Sequence, residues 1–233
     1  MSKLSFKEVK ELATTKNLTD TTYFTLFGGG VNKKAYGVNN SSWIVLSASI
    51  SKERLIKAEI DQILTLKKNG VFTPDLGVST TEEAVFNVQD GTDTKIAFLE
   101  EKIDGFEIPR KGTAFSEDEV KKFSIEILKY ICQQPTIEAA EVIRANALKS
   151  IDLLTPYIKK TDIPDFQVRF DKATGKILTL DPGDPLNSEN AQDKHLRWLS
   201  FWQKDLTDKR YLSRLWNEQH PTNKINSNGS SWK

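Results

Sequence analysis

The chain alternates between two periodicities, and they divide it in the middle. In "SFKEVKELA" the residues Phe6, Val9, Leu12 and Ala13 recur at helical spacing, and Ser5 with Glu8 fits a capping box. "TTYFTLFGGGVNKKAYGV" predicts a strand, a glycine turn and a returning strand, and "SSWIVLSAS" a third strand after the turn "NNSS". "SKERLIKAEIDQILTLKKNG" changes to the helical period, with Leu55, Ile56, Ile60, Ile63, Leu64 and Leu66 on one broad stripe and Gly70 as the stop. "EAVFNV" and "KIAFLEEKI" return to the strand pattern around the turn "QDGTD". The first hundred residues therefore predict a small antiparallel sheet with one helix inserted after its third strand.

The second half is mainly helical. "SEDEVKKFSIEILKYICQQ" carries an amphipathic stripe behind a second capping box, Ser116 with Glu119. "IEAAEVIRANALKSIDLLTPYIKK" is helical, with a break expected at Pro156 near its end. "FQVRF" and "KILTL" alternate as a hairpin around "DKATGK", and "DKHLRWLSFWQKDL" and "RYLSRLWNEQ" are two further helices. The segment from Ile103 to Arg110 reads as a crossing between the halves, and "HPTNKINSNGSSWK" as a polar tail that frays. The organisation expected is α+β: a sheet-bearing part over 1–104, a helical part with one hairpin over 105–217, and a tail over 218–233.

Composition narrows the chemistry. Among 233 residues, Lys+Arg 33 balance Asp+Glu 32, so no basic excess points to nucleic acid. The single cysteine, Cys132, excludes an internal disulfide framework and a thiolate zinc site, and its helical context reads as a small buried hydrophobe. Two histidines, His195 and His220, leave little for a histidine-rich metal site or a Ser-His-Asp triad. Apolar runs fall short of the roughly 20 residues a bilayer span needs, and the N-terminus has no continuous apolar core of a secretory signal. The expectation is a soluble protein, cytoplasmic or exported into a host cell by a specialised machine.

Several motifs fall in a recognisable order. "FGGGVNKKAY" spaces Gly28 and Gly30 two apart around Gly29, with Lys33 at the third position of a G-x-G-x-x-G pattern and Tyr36 on the returning strand. Glu59 lies in the helix after the third strand. "TDIPDFQVRFD" holds Asp162 with Gln167 five later, and Asp181 opens "DPG" fourteen residues after Gln167, beyond the hairpin. This arrangement resembles the protein-kinase family, and in particular its minimal bacterial effector, toxin or phage members. The resemblance implies a two-lobed fold in which a glycine-rich hairpin covers the phosphates of ATP. Gly28, Gly29 and Gly30 would bind the nucleotide, Asp162 would be the catalytic carboxylate, and Gln167 and Asp181 would hold Mg2+. Asp165 is a rival to Asp162. "DPGDP" also resembles the corresponding segment of aminoglycoside-type phosphotransferases.

The chain departs from the family at one position that matters. Kinases carry a phosphate-binding lysine on the third strand, oriented by a helix glutamate. Here Leu46 or Ser47 stands in that place. In the with-no-lysine kinases the glycine-rich strand supplies the cation instead, and the equivalent residue here is Lys33, with Lys34 and Lys52 as weaker candidates. An inward-facing ammonium needs an acidic partner, because an unpaired buried charge is costly, and Glu59 is the natural one. Gln167 also replaces the usual asparagine, and only 52 residues (233 minus 181) follow Asp181. The reading that results is an ATP- and Mg2+-dependent phosphotransferase acting on a protein hydroxyl. The alternatives are an inactive pseudokinase serving as a binding or regulatory module for a protein partner, and a small-molecule phosphotransferase.

Overall fold

The capping box at Ser5 forms as read: the Ser5 backbone N–H donates to the Glu8 carboxylate at 2.8 Å, and α1 (Phe6–Thr15) follows. A computed structural model describes residues 3–29, 33–108, 116–160, 167–180 and 191–232 of the chain. The chain divides into two compact units. The first is Met1–Lys68 with Thr73–Ile103, and the second is Asn69–Phe72 with Asp104–Lys233.

In the first unit β1 (Phe24–Gly29), β2 (Lys34–Val38) and β3 (Trp43–Ser49) run antiparallel. A short 3-10 turn (Ile50–Lys52) leads into α2 (Glu53–Lys68), which stops ahead of Gly70 in the left-handed region at φ 79°. The short α3 (Thr81–Ala84), β4 (Phe86–Asp90) and β5 (Asp93–Glu101) complete a five-stranded sheet in the order β1-β2-β3-β5-β4. Side chains alternate across a strand, so the sheet buries two separate sets. One face gathers Tyr36, Val38, Val45 and Leu99 under Val9 and Ala13 of α1. The other packs Leu46, Ala48, Ile96 and Phe98 against Ile56, Ile60 and Ile63 of α2. Each fully buried Val, Leu or Ile among them contributes about 1.5–3 kcal/mol of transfer free energy. Leu55 departs from the expected stripe: it is exposed, on the outer side of α2.

The second unit contains a strand the sequence pattern hides. Gly105–Glu107, within the expected crossing segment, forms β6 and pairs with β7 (Val168–Asp171), which pairs in turn with β8 (Ile177–Thr179). Gly105 is a steric requirement here, because a Cβ at that position would lie 1.7 Å from the Phe170 carbonyl oxygen. The helices are α4 (Glu117–Cys132), α5 (Ile137–Lys160), α6 (Ala191–Thr207) and α7 (Lys209–Gln219). The capping box at Ser116 starts α4 as expected. The break expected at Pro156 is absent: α5 continues to Lys160, forgoing only the hydrogen bond that Pro156 has no N–H to make. Aromatic packing ties the small sheet to α4, with Phe106 against Phe123 at 5.8 Å and Phe170 against Tyr130 at 5.6 Å.

The expected fraying of the C-terminal stretch is also corrected. Trp232 is buried against Trp216, and its indole N–H donates to the Ser213 hydroxyl at 3.1 Å. A single indole provides enough apolar area to fold back an otherwise polar segment.

Candidate functional site

The glycine-rich stretch begins within β1, ahead of β2. Gly28 pairs with Ala35 and Gly29 with Lys34, after a bulge between Leu26 and Gly28. A Cβ built on Gly28 would meet nothing within 4 Å, so packing does not require glycine there. What glycine leaves at that position is backbone open to close approach. Gly30 lies outside the described residues.

Lys33 and Lys34 are consecutive at the start of β2, and their side chains leave on opposite faces of the sheet. The Lys33 ammonium forms an ion pair with the Glu59 carboxylate of α2, and lies 5.9 Å from the centre of the Phe98 ring. The side chains of Lys33 and Glu59 are 19% and 12% exposed, so both charges are largely removed from water. Each supplies counter-charge to the other, which offsets part of the cost of that desolvation. The partner expected for Lys33 is therefore the one the fold provides.

Lys34 goes to the other face. Its ammonium donates to the buried Asp90 carboxylate at 2.9 Å, and the Tyr36 hydroxyl donates to the same carboxylate at 2.8 Å. Burial pushes the Asp90 carboxyl upward, but the hydrogen bonds from Lys34 and Tyr36 and the Lys34 charge outweigh it, and the net shift is downward. The Tyr36 hydroxyl is pushed up, first by burial and then by its bond to Asp90. Of the other positions weighed for the cation, Leu46 packs in the core against α2, Ser47 is buried, and Lys52 sits in the 3-10 turn before α2.

In the second unit the β7–β8 hairpin fixes Gln167. The Leu180 N–H donates to the Gln167 carbonyl at 2.9 Å. Gln167 thus enters β7 at the open end of the hairpin, paired through its backbone with Leu180. Asp162, Asp165, Asp181 and Gly183 themselves lie outside the described residues. Among the described residues, no group of three or more His, Cys, Asp or Glu side chains is gathered for a metal ion, and no helix is long and apolar enough to cross a membrane. Cys132 is buried, and burial, with a smaller effect from Glu218, pushes its thiol up to about 12. It stays protonated and chemically quiet, as a small hydrophobe should.

The Asp90–Lys34–Tyr36 cluster escaped sequence reasoning. Asp90 precedes Gly91 in "QDGTD", and an Asp before Gly reads as turn chemistry. Nothing local signals that it reaches a strand 56 residues away. A scan against protein-family models finds no match for the chain, and a search of curated proteins finds none.

Proposed function

We propose that the chain is an ATP- and Mg2+-dependent phosphotransferase of protein-kinase-like type that modifies a protein hydroxyl. The observation that carries this reading is the Lys33–Glu59 pair. A lysine delivered by a glycine-rich hairpin, largely buried and held by a glutamate on the helix that follows the third strand, is the arrangement phosphate binding needs. A purely structural surface pair would be exposed and worth little. The antiparallel sheet with its helix inserted between the third strand and the last two also supports the reading.

In this reading Lys33 and the amides of the glycine turn take the phosphates, and Glu59 orients Lys33. Gln167 and Asp181 would supply oxygen donors of the kind Mg2+ prefers, and a bound ion there would supply positive charge to offset that of the phosphates. Asp162 orients the acceptor hydroxyl and takes its proton as the γ-phosphoryl group transfers and ADP leaves. The reaction asks for positioning and charge neutralisation rather than a covalent protein nucleophile, which suits a chain whose cysteine is buried and inert.

A second reading is favoured by Leu46 and Ser47 on the third strand and by Gln167 in place of asparagine. It is a pseudokinase that binds nucleotide without turnover. Incubating the pure protein and acceptor proteins with ATP labelled on the γ- or the α-phosphate separates the outcomes. Transfer of the γ label alone, lost in Asp162→Ala, is the expected result. Transfer of the α label alone would replace phosphorylation by nucleotidyl transfer. Nucleotide binding with no transfer to any acceptor would leave the pseudokinase.

A further inference from the structure

Asp90 belongs to the edge strand β4, yet it contacts β2, with β5 and β3 lying between them in the sheet. For one carboxylate to reach both Lys34 and Tyr36, the sheet must curl over the core beneath α1. Side chains on that face include Tyr36, Val45 and Val88. The carboxylate is buried, and its two donors sit two residues apart on the same face of β2. It therefore fixes both the height and the rotation of the strand's first turn of pleat. Lys33 is the residue directly before Lys34. With Lys34 held on one face, the pleat leaves Lys33 the other, where Glu59 waits.

We propose that Asp90 is a positioning residue for Lys33. By clamping Lys34 and Tyr36 it sets the rotation of the glycine hairpin's returning strand and so delivers the Lys33 ammonium to the phosphate site. The proposal rests on the reading of Lys33 as the phosphate ligand, but its geometric part does not need nucleotide to be tested. The sequence pair Lys33-Lys34 then has two distinct duties. One lysine serves the ligand, and its neighbour locks the register in which the first can do so.

The test compares wild type with Asp90→Asn, Lys34→Met and Lys34→Arg, well below their melting temperatures. Two quantities are read: the rate at which an amine-acylating reagent modifies Lys33, resolved by peptide mapping, and the affinity for ATP with Mg2+. Lys33 should be acylated about five- to tenfold faster in Asp90→Asn and Lys34→Met, with ATP affinity falling by a similar factor, the size usual for coupling between neighbouring sites. Lys34→Arg, which keeps the charge at Asp90, should restore both. Should Asp90→Asn fail to fold, Lys34→Met carries the test, because the Lys34 side chain is half exposed and its loss opens no cavity. Unchanged acylation of Lys33 in the folded variants overturns the proposal, whatever happens to their stability. Faster acylation in a protein whose wild type binds no ATP would keep the clamp and remove the nucleotide reading instead.

Discussion

Lys33 and Glu59 make the sharpest contrast between a structural and a functional pair. Removing one partner takes a counter-charge away from the other. Glu59→Ala should cost about 1–3 kcal/mol, below the roughly 3–5 of a fully buried pair because part of Lys33 still reaches solvent. Replacing both, as Lys33→Met with Glu59→Leu, should leave the melting temperature unchanged or raised, since apolar residues of similar volume substitute well for buried pairs. The same double variant should lose ATP binding. Thermal melts with and without ATP and Mg2+ check both halves, and a double variant that still binds ATP would show the pair to be structural only. Asp90 adds a pH dependence. Its carboxyl titrates lower in the folded state, so its contribution is present above the unfolded value near pH 4 and lost as pH falls through the folded value. The melting temperature of wild type should therefore fall more steeply between about pH 5 and pH 3 than that of Asp90→Asn. Parallel acid limbs would remove Asp90 from the account of acid stability.

At the scale of elements, the alternating and helical patterns carried most of the first unit, and the reason is local. Strand, turn and cap signals there lie within a few residues of one another, from the Ser5 capping box to the stop at Gly70. Lys33 was singled out for a different reason: the third strand lacks a lysine, and the resemblance to with-no-lysine kinases points to the third-glycine position, which Lys33 occupies. Three features stayed hidden because their cause is non-local. β6 is three residues long, begins with glycine, and exists only because β7 pairs with it. Trp232 lies in a polar stretch of sequence and is anchored by Ser213, 19 residues away. Asp90 needs the sheet to curl before it means anything. Two measurements bear on these elements. Gly175→Ala places a Cβ at φ 71° and within 2.8 Å of three atoms of Ile143, and should cost about 2–4 kcal/mol by denaturant unfolding. Trp232→Ala should cost about 3 kcal/mol or more, because it empties an indole site and leaves the Ser213 hydroxyl without that donor. A loss under about 0.5 kcal/mol, the size of an ordinary surface change, would mean the tail is only loosely attached.

For the whole molecule, Lys+Arg 33 and Asp+Glu 32 nearly cancel, so the net charge itself supplies little attraction for a charged ligand. The proposed function makes Lys33 of the first unit the residue on which nucleotide binding turns. The most direct measurement is calorimetric titration of ATP with Mg2+ into wild type, Lys33→Met and Lys34→Met. Wild type should bind, and a hundredfold excess of ATP over the dissociation constant should add about 2.7 kcal/mol of stability by mass action. Lys34→Met should bind more weakly, and Lys33→Met should lose binding altogether while remaining folded. Binding by Lys33→Met at wild-type affinity, or no binding by wild type with any divalent ion, would contradict the assignment of Lys33 as the phosphate ligand.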